Sequence, residues 1–416
     1  MTKKSEAARQ KVQAPPIFYE KIKLLIHIME RGKEEMKKRR RILSLFSAAC
    51  LVITGIVSGA GVQKAEAAAR TEVIDVTDYG VYPDSGKDSA IGIQKAIAAA
   101  KDATKEGKEV KINFPEGRYD IYPDKAIERE LYVSNTVGAD QNNKMKKIGI
   151  FLEDMDHVTV DGNNSLFMFH GKMTTFATIG CEDVEFKNFA VDFQVPTVID
   201  MTVESVEGNT ATVYIPECYN YEVSGSTIKW YSDVSPYTGQ RYWSISDLSG
   251  YHTQREDTIQ GIKFGAGNGN AALKGVASIE DLGNHRVKIT YNSKAGEVQN
   301  GMCFQSRPTV RDHAGTFFWK SKDIKMTSLD IQFLHGFGMV GQHSENITME
   351  DVDFEAPKES GRTTAGYADF VQMSGCKGAI NINNCTFAGP HDDPINIHGT
   401  FNTVTSISSD RRTITV

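Results

Sequence analysis

Short runs in which apolar and polar residues alternate recur along the chain. A run of four is followed by a tight turn and a second short run, as in Asp323 to Met326 and then Ile331 to Phe333. Alternation of this kind is typical of a β-strand that buries one face. The copies of the unit begin at His157, Asp183, Asp323, Asn346 and Ala379. The pattern therefore predicts a repeated unit of two short strands.

The spacing of the copies indicates a solenoid of parallel strands. Ile324 precedes Ile347 by 23 residues, and Val158 precedes Val184 by 26. Periods of this length without intervening helices fit stacked coils, whereas a βαβ fold needs a helical crossover of about a dozen residues. An antiparallel sandwich would not repeat in this way. We therefore expect an all-β fold, a right-handed parallel β-helix.

The region from Val73 onward predicts a cap on the first coil. A strand that starts at Val73 is followed by a helical run, Ile91 to Ala100, with one apolar side, and then by a second strand that starts at Val110. This order resembles the opening of pectin-lyase-like β-helices, in which a capping helix covers the first coil. A cover is needed because an uncapped stack exposes an unpaired edge.

The repeat is interrupted between about residues 196 and 308, where a different pattern begins. Two alternating runs flank Gly208-Asn209, a dipeptide typical of a hairpin turn. Aromatic side chains cluster between Trp230 and Trp243; they could stack on a sugar ring, but a place in a barrel core is the favoured interpretation. We expect a small antiparallel β-barrel inserted into a loop of the solenoid.

A similar hairpin pattern returns at the end of the sequence, from Val404 to Val416. We expect the sequence to be truncated as a second barrel begins, with its last strand left without a partner. The predicted division of the chain is a leader at 1–69, N-terminal coils at 70–196, the inserted barrel at 197–308, the coils with the candidate catalytic residues at 309–403, and the incomplete second barrel at 404–416.

The first 69 residues have the order of a secretory leader. A basic cluster, Met36 to Arg41, precedes an uncharged stretch, Ile42 to Val57, and a region of small residues that ends in Ala67. This order of basic, apolar and small residues is what a signal peptide requires. The uncharged stretch is only modestly apolar, so a permanent membrane anchor is the weaker alternative. We expect cleavage near Ala67 and a secreted or cell-surface bacterial protein with no stable membrane span.

Charge and cysteine usage exclude several classes of partner. The whole chain carries a formal charge of −6, and residues 1–69 hold 14 basic and 6 acidic side chains, so the remainder carries −14. Such a body lacks the basic face that nucleic acid requires and fits neutral substrates better than polyanions. The cysteines show no C-x-x-C pair, and no His/Cys cluster has the spacing of metal ligands. We therefore expect neither a metal nor a cofactor.

Three aspartates fall in phase with the repeat. Asp369 precedes Asp392 by 23 residues, the step between two repeat copies, and Asp393 follows directly. One step returns the chain to the same angular position on a coil about 4.8 Å away. Clustered carboxylates repel one another, so at least one should have a raised pKa. A proton donor beside ionised bases is what cleavage of a glycosidic bond needs; turn capping and calcium binding are the alternatives.

Other polar residues near the acids are candidates for substrate binding. Asn396 and His398 share one face of a predicted strand directly after the acids. His335, Gln342 and Arg362 fall in turns on nearby coils. These three side chains could bind sugar hydroxyls, and packing within the turns is the equal alternative for each.

The stretch from Phe333 to Ile347, followed by Arg362, Asp369 and the run 392–399, resembles glycoside hydrolase family 110. Members of that family are exo-acting, inverting α-1,3-galactosidases, some of which remove the blood-group B galactose. The resemblance covers most of residues 70–416. It implies that Asp392 is the proton donor and that Asp369 and Asp393 form the base. It also implies galactose-terminated oligosaccharides or glycoconjugates as substrates.

Two other interpretations remain open. A polygalacturonase-like hydrolase uses the same solenoid and similar aspartates, but His398-Gly399 lacks the leading Gly of that group's Gly-His-Gly motif. The acidic charge of the chain also argues against a polyuronate substrate. A non-catalytic carbohydrate-binding β-helix, such as an adhesin, would explain the coils and the leader but not the phased acids.

Overall fold

A computed structural model describes residues 71–136, 144–246, 252–257, 262–268, 271–293, 298–307, 310–400 and 403–416, and between 252 and 271 it describes the backbone alone. The leader predicted at 1–69 lies outside the described residues. In the part of the chain that is described, no helix has the length and apolar character that crossing a bilayer requires.

The N-terminal coils begin with a helical cap. Helix α1 spans Ala90–Lys105, and a 3-10 helix spans Val76–Tyr79. Ile93, Ile97 and Ala100 of α1 are buried against the first coil, so the predicted capping helix is confirmed. The strands here are β1 (Glu72–Asp75), β2 (Val110–Asn113), β3 (Arg118–Ile121), β4 (Ile127–Glu130), β5 (Met145–Glu153), β6 (Asp156–Phe169), β7 (Thr174–Ile179) and β8 (Glu182–Phe193).

An antiparallel insert follows β8. Its strands are β9 (Ile199–Glu207), β10 (Thr210–Tyr214), β11 (Asn220–Ser224), β12 (Thr227–Tyr231), β13 (Ser244–Ile245), β14 (His252–Asp257), β15 (Ile262–Asn268), β16 (Val276–Gly283), β17 (Arg286–Tyr291) and β18 (Met302–Ser306), with a 3-10 helix at Ala271–Leu273. Seven of them pair in the order β15-β14-β18-β9-β10-β17-β16, and β11, β12 and β13 form a second sheet. The pairing seen among the described strands leaves the larger sheet open. Trp230 and Trp243 are buried in the insert's core, as the favoured interpretation predicts.

The C-terminal coils resume after the insert. Their strands are β19 (Thr316–Trp319), β20 (Lys322–Ile331), β21 (Met339–Gln342), β22 (Glu345–Phe354), β23 (Val371–Ser374), β24 (Lys377–Asn383), β25 (Thr386–Phe387), β26 (Ile395–His398), β27 (Ser406–Ile407) and β28 (Ile414–Thr415), with a 3-10 helix at Lys358–Ser360. The expectation that the last strand lacks a partner was wrong, because β28 pairs antiparallel with β27. The turn between them is short enough for the two to form a local hairpin.

Two stacked sheets form the β-helix. The first contains β1-β2-β6-β8-β20-β22-β24 in that order, and the second contains β26-β23-β21-β19-β7-β5-β4. Apart from the β4–β5 pair, their strands run parallel. Val158 pairs with Val184, and Ile324 pairs with Ile347. The predicted parallel β-helix and its 26- and 23-residue steps are therefore confirmed.

The polar residue at the start of four of the five repeat copies has a structural reason. His157, Asp183, Asp323 and Asn346 all have φ between 53° and 56°, in the left-handed region. Asn and Asp tolerate this region better than most side chains. Their side chains also bond along the stack, since Asn346 Nδ2 donates to Asp323 Oδ1 at 2.7 Å. The left-handed residue turns the chain into each new strand, and this is why the repeat is readable in the sequence.

The interior of the coils is apolar and close-packed. Phe354 stacks on Phe370 and on Phe387, with ring centroids 5.2 Å apart in both pairs. In the earlier coil formed by β7 and β8, Phe176 packs on Phe186 with ring centroids 4.6 Å apart. Burying one such side chain contributes about 1.5–3 kcal/mol. Phe370 directly follows Asp369, so the aromatic stack fixes the backbone of that candidate acid.

Candidate active site

The candidate acids lie in one series of turns. Residues 170–173 precede β7, 310–315 precede β19, 332–338 precede β21, 355–370 precede β23, and 388–394 precede β26. These five strands are neighbours in the second sheet, so the turns that lead into them lie one above another, about 4.8 Å apart. We refer to them as the turn series.

The structure brings the three aspartates together with a shift of one residue in register. Val371 pairs with Ile395, so the step here is 24 residues, and Asp369 is level with Asp393 rather than with Asp392. The amide of Phe370 donates to the carbonyl of Asp393 at 3.0 Å. Asp369 is only 2% exposed, whereas the two later aspartates are exposed. One buried and two exposed carboxyl groups therefore meet on adjacent coils.

The environment of Asp369 raises the pKa of its carboxyl group to about 6. Burial is the main cause, and the charges of Asp392 and Asp393 add to it. A hydrogen bond from Asn396 Nδ2 to Asp369 Oδ2, 3.1 Å long, acts in the opposite direction. The prediction that one clustered acid has a raised pKa is confirmed, although repulsion is the smaller cause. Among the residues predicted to bind substrate, Asn396 thus contacts the candidate acid Asp369.

Two arginines border the acids, and the sequence analysis missed both. Arg311 Nη1 lies 3.7 Å from Asp392 Oδ2, and its guanidinium lies over the Phe337 ring at 4.2 Å. Arg307 donates to the carbonyl of Tyr367 at 3.1 Å, and burial lowers its pKa. They come from the end of the insert, outside the phase of the repeat. Their position in the sequence, where the insert ends and the coils resume, was the signal that could have located these two arginines.

His335 is fully buried, and both of its ring nitrogens have protein partners. Nδ1 is 2.5 Å from the hydroxyl of Thr197, and Nε2 is 3.0 Å from Asp312 Oδ1. Burial lowers its pKa to about 4, so the ring is neutral at pH 7. The ionised Asp312 accepts from Nε2–H, and Nδ1 accepts from the Thr197 hydroxyl. These contacts favour the packing alternative over sugar binding.

Asp312 gathers a polar cluster that no sequence spacing indicated. It accepts from His335, from His313 Nδ1 at 2.9 Å, and from Lys172 Nζ at 2.9 Å. Burial alone would raise its pKa, but the bonds from the two histidines hold it well below the usual range. Asp312, His313 and His335 are close enough to share a metal ion. Lys172 already neutralises the carboxylate, which disfavours a divalent cation there.

Gln342 and His398 contact a different part of the coil. Gln342 Nε2 donates to the carbonyl of Tyr132 at 3.0 Å, and its Oε1 accepts from the amide of Ser134 at 2.8 Å. His398 Nε2 is 3.4 Å from Asn135 Nδ2. Both side chains thus support the segment 131–136, and neither shows a contact with the acids. For Gln342 this geometry favours the packing alternative.

Arg362 forms a buried ion pair. Its two terminal nitrogens each lie 2.8 Å from an oxygen of Asp192, and it is only 7% exposed. The neighbouring Thr363 hydroxyl donates to the buried Asp200 at 2.7 Å. Bidentate pairing uses the arginine fork that would otherwise bind a ligand. The pair instead ties the segment that leads to Asp369 to the end of β8, two coils earlier, and Thr363 ties the same segment to the insert.

Two glycines allow the turn before β21 to approach the acid coil closely. Gly336 and Gly338 have φ of 75° and 56°. A Cβ at Gly338 would overlap the carbonyl oxygens of Asp369 and Phe370, and one at Gly336 would overlap that of His313. Only glycine combines the positive φ with the absence of a side chain. Packing therefore requires glycine at 338, next to Asp369, and at 336, next to His313.

The arrangement is suited to proton transfer. A buried carboxyl group with a raised pKa lies beside two exposed carboxyl groups, and a guanidinium faces one of them. Groups of unequal proton affinity side by side allow one to donate a proton while another accepts one. Cleavage of a glycosidic bond needs chemistry of this kind.

Sequence comparison places the chain among named homologues. It is 43% identical to alpha-1,3-galactosidase A of Streptomyces avermitilis over 82% of this chain and 55% of that protein. It is 40% identical to the Peterkaempfera griseoplana enzyme of the same name, over 82% of this chain and 46% of that protein. The corresponding Bacteroides fragilis protein is 32% identical over 80% and 52%. The chain spans about half the length of these curated relatives. No protein-family model matches it.

Two solved exopolygalacturonases show distant similarity to the chain. The family 28 exopolygalacturonase of Yersinia enterocolitica is 12% identical with a TM-score of 0.34, over 79% of this chain and 45% of that one. The exopolygalacturonase of Thermotoga maritima is 11% identical with a TM-score of 0.31, over 80% and 56%. Similarity at this level carries no argument, so the fold rests on the strand pairing above.

Parallel coils with clustered carboxyl groups, in a chain homologous to proteins named galactosidases, indicate the class of the β-helix glycoside hydrolases. The identities of 32 to 43% over about four-fifths of the chain then decide the family. The chain belongs to the same family as these relatives, the one that the sequence resemblance identifies as glycoside hydrolase family 110.

Proposed function

We propose that this protein is an exo-glycosidase that hydrolyses terminal α-1,3-linked galactose from glycans, with inversion at the anomeric carbon. The observation that carries the proposal is the buried Asp369 beside Asp392 and Asp393 on adjacent coils, in a chain homologous to named α-1,3-galactosidases. The substrates are galactose-terminated oligosaccharides or glycoconjugates.

In the proposed mechanism Asp392 donates a proton to the leaving oxygen, and Asp369 and Asp393 activate a water molecule. Inversion needs an acid and a base about 6.5–9.5 Å apart with a water between them. A base must be ionised, so the raised pKa of Asp369 predicts that kcat/KM falls as the pH drops below about 6. If Asp369 were the acid instead, kcat/KM would fall as the pH rises above about 6.

The test of the proton donor compares two substrates of the full-length protein. Asp392→Asn should lower kcat on a galactosyl-α-1,3-galactose disaccharide by about 10²- to 10⁴-fold. The loss on an aryl α-galactoside with a good leaving group should be much smaller, because that oxygen needs little protonation. Asp351→Asn, an exposed aspartate on β22, is the matched control and should retain activity. Equal losses on both substrates would contradict the assignment of Asp392.

The stereochemistry is read from the first product. Proton NMR should show β-galactose before mutarotation, because water attacks opposite the departing oxygen. Initial α-galactose, or a trapped galactosyl-enzyme, would exclude inversion. Hydrolysis of polygalacturonate with no action on either galactoside would instead support the polygalacturonase-like alternative.

We also propose that residues 1–69 direct secretion and are removed near Ala67. The support is the order of basic, uncharged and small-residue regions in the sequence. N-terminal sequencing of protein from the culture medium should begin within a few residues of Ala67. Recovery of the uncleaved chain in the cells alone would contradict this proposal.

A further inference from the structure

A cavity lies beside the turn series, towards the N-terminal coils. Its volume is about 530 Å³, and none of the three candidate acids lines it. Its walls come from the segment before α1, from β3 and the residue after it, from the turn before β7, from the end of β8 and from the insert. The turn before β7 is three coil steps from the turn of Asp369 and four from that of Asp393. At about 4.8 Å per coil this is roughly 14–19 Å.

The floor of the cavity is held by a buried histidine. His170 Nδ1 is 2.6 Å from Asp233 Oδ2 of the insert, and its Nε2 is 3.0 Å from Asp120 Oδ1 of β3. The Tyr122 ring stacks on the imidazole at 3.7 Å with an angle of 11° between the planes. Because these groups are already fixed, a ligand would lose little entropy by ordering them.

The cavity offers both donors and acceptors. Arg118 donates to Asp120 and to Gln194 Oε1 at 2.5 and 2.8 Å. The Gln194 amide nitrogen and the Tyr122 hydroxyl make no hydrogen bond to the residues that the structure describes. The carboxylate of Asp84, which is exposed, also lines the cavity. Sugar hydroxyls need such a mixture of donors and acceptors next to an aromatic ring.

The charges around the cavity favour a neutral ligand. Asp84, Asp120 and Asp233 face Arg118 and His170. Burial lowers the pKa of His170, but the hydrogen bonds to the two aspartates outweigh it and raise the pKa above its ordinary value. Even with the imidazole charged, three negative groups face two positive ones. An anionic sugar would therefore be repelled.

A series of side-chain contacts lies between the cavity and the acids. Lys172, two residues after His170, pairs with Asp312. Asp312 bonds to His335, whose ring lies 5.2 Å from that of Tyr367, two residues before Asp369. Lys172, Asp312, His335 and Tyr367 thus lie in successive turns of the turn series between the cavity and the acids.

We propose that this cavity is a subsite that binds a neutral sugar unit of the glycan several residues away from the terminal galactose. The inference rests on the proposed function. In that function the terminal galactose lies at the acids, and the rest of the glycan extends from there along the turn series. An oligosaccharide of a few residues is long enough to span the distance.

The test compares long and short substrates of the full-length protein. Tyr122→Phe combined with Gln194→Glu removes the two free donors and keeps the ring and the oxygen that accepts from Arg118. The ratio of KM for a neutral pentasaccharide ending in α-1,3-galactose to KM for an aryl α-galactoside should rise about tenfold, as the loss of two hydrogen bonds implies. Tyr82→Phe, at an exposed tyrosine outside the cavity, should leave the ratio unchanged. An unchanged ratio in the double variant would overturn the proposal.

Calorimetry separates this inference from the proposed function. With Asp392→Asn protein, the pentasaccharide should bind about tenfold more weakly once Tyr122→Phe and Gln194→Glu are added. That result would support the subsite even if no galactoside were hydrolysed. Equal affinity with and without the two substitutions, or tighter binding of an oligosaccharide with a uronic acid in place of the neutral sugars, would overturn it.

Discussion

Asp369→Asn should stabilise the protein at alkaline pH and should lower its activity. The pKa of this carboxyl is about 6 in the folded chain against an ordinary 3.8. The folded state therefore binds the proton more tightly than the unfolded state, and the stability contributed by this group is lost as the pH rises from about 4 to about 6. Asparagine carries no charge to desolvate, and its Oδ1 still accepts from Asn396 Nδ2.

The pKa difference corresponds to about 3 kcal/mol. Solvent beside the exposed Asp392 and Asp393 screens part of it, so we expect about 1–2 kcal/mol. The variant should exceed the parent protein in the free energy of unfolding by this amount at pH 8 and by about zero at pH 4. Activity should fall at least about a hundredfold, because a base or acid is lost.

Urea unfolding followed by circular dichroism at pH 4, 6 and 8 measures the difference. Asp351→Asn is the matched control, since this exposed aspartate lies on the same coil in a left-handed conformation that asparagine also adopts. Its stability difference should not vary with pH. A variant at Asp369 that is less stable than the parent at pH 8, or equally shifted at all three pH values, would refute the argument from burial.

Three further predictions follow from the contacts around the acids. Arg362→Met leaves the buried Asp192 without its partner and should lower the free energy of unfolding, measured in urea, by about 3–5 kcal/mol. Adding Asp192→Asn should recover part of the loss. No recovery would show that the loss of the ion pair is not the cause. Gly338→Ala forces a side chain onto the Asp369 carbonyl, so kcat should fall at least about tenfold with a loss of stability above about 1 kcal/mol. Gly208→Ala is the control, because Gly208 also has a positive φ but an added Cβ there meets no atom within 4 Å. It therefore measures the strain of the positive φ without the overlap. EDTA should leave activity unchanged, because Lys172 already neutralises Asp312; loss of activity that zinc or calcium restores, together with metal detected in the purified protein, would show that the cluster of Asp312, His313 and His335 holds an ion.

The relation between sequence and fold was close where the determinants are local. Left-handed Asp, Asn and His residues start four of the five units, and alternation fills the strands that follow. The coils and two of their steps were therefore visible in the sequence. Asp369, Asp392 and Asp393 were found because a solenoid converts a sequence step into proximity. The same step placed Asp369 one residue out of register, because the loop that precedes Asp392 has its own length.

Contacts that bridge the insert were decided only by the tertiary structure. Arg362 pairs with Asp192, 170 residues earlier, and Arg311 reaches Asp392 from the end of the insert. His335 bonds to Asp312 one coil away, so its Nε2 is not free to bind a substrate. A repeat specifies which residues share an angular position, but the path of an irregular insert depends on its own packing. The sequence alone therefore determined the coils and the acids, and the folded chain determined which of the surrounding polar residues are free to meet a substrate.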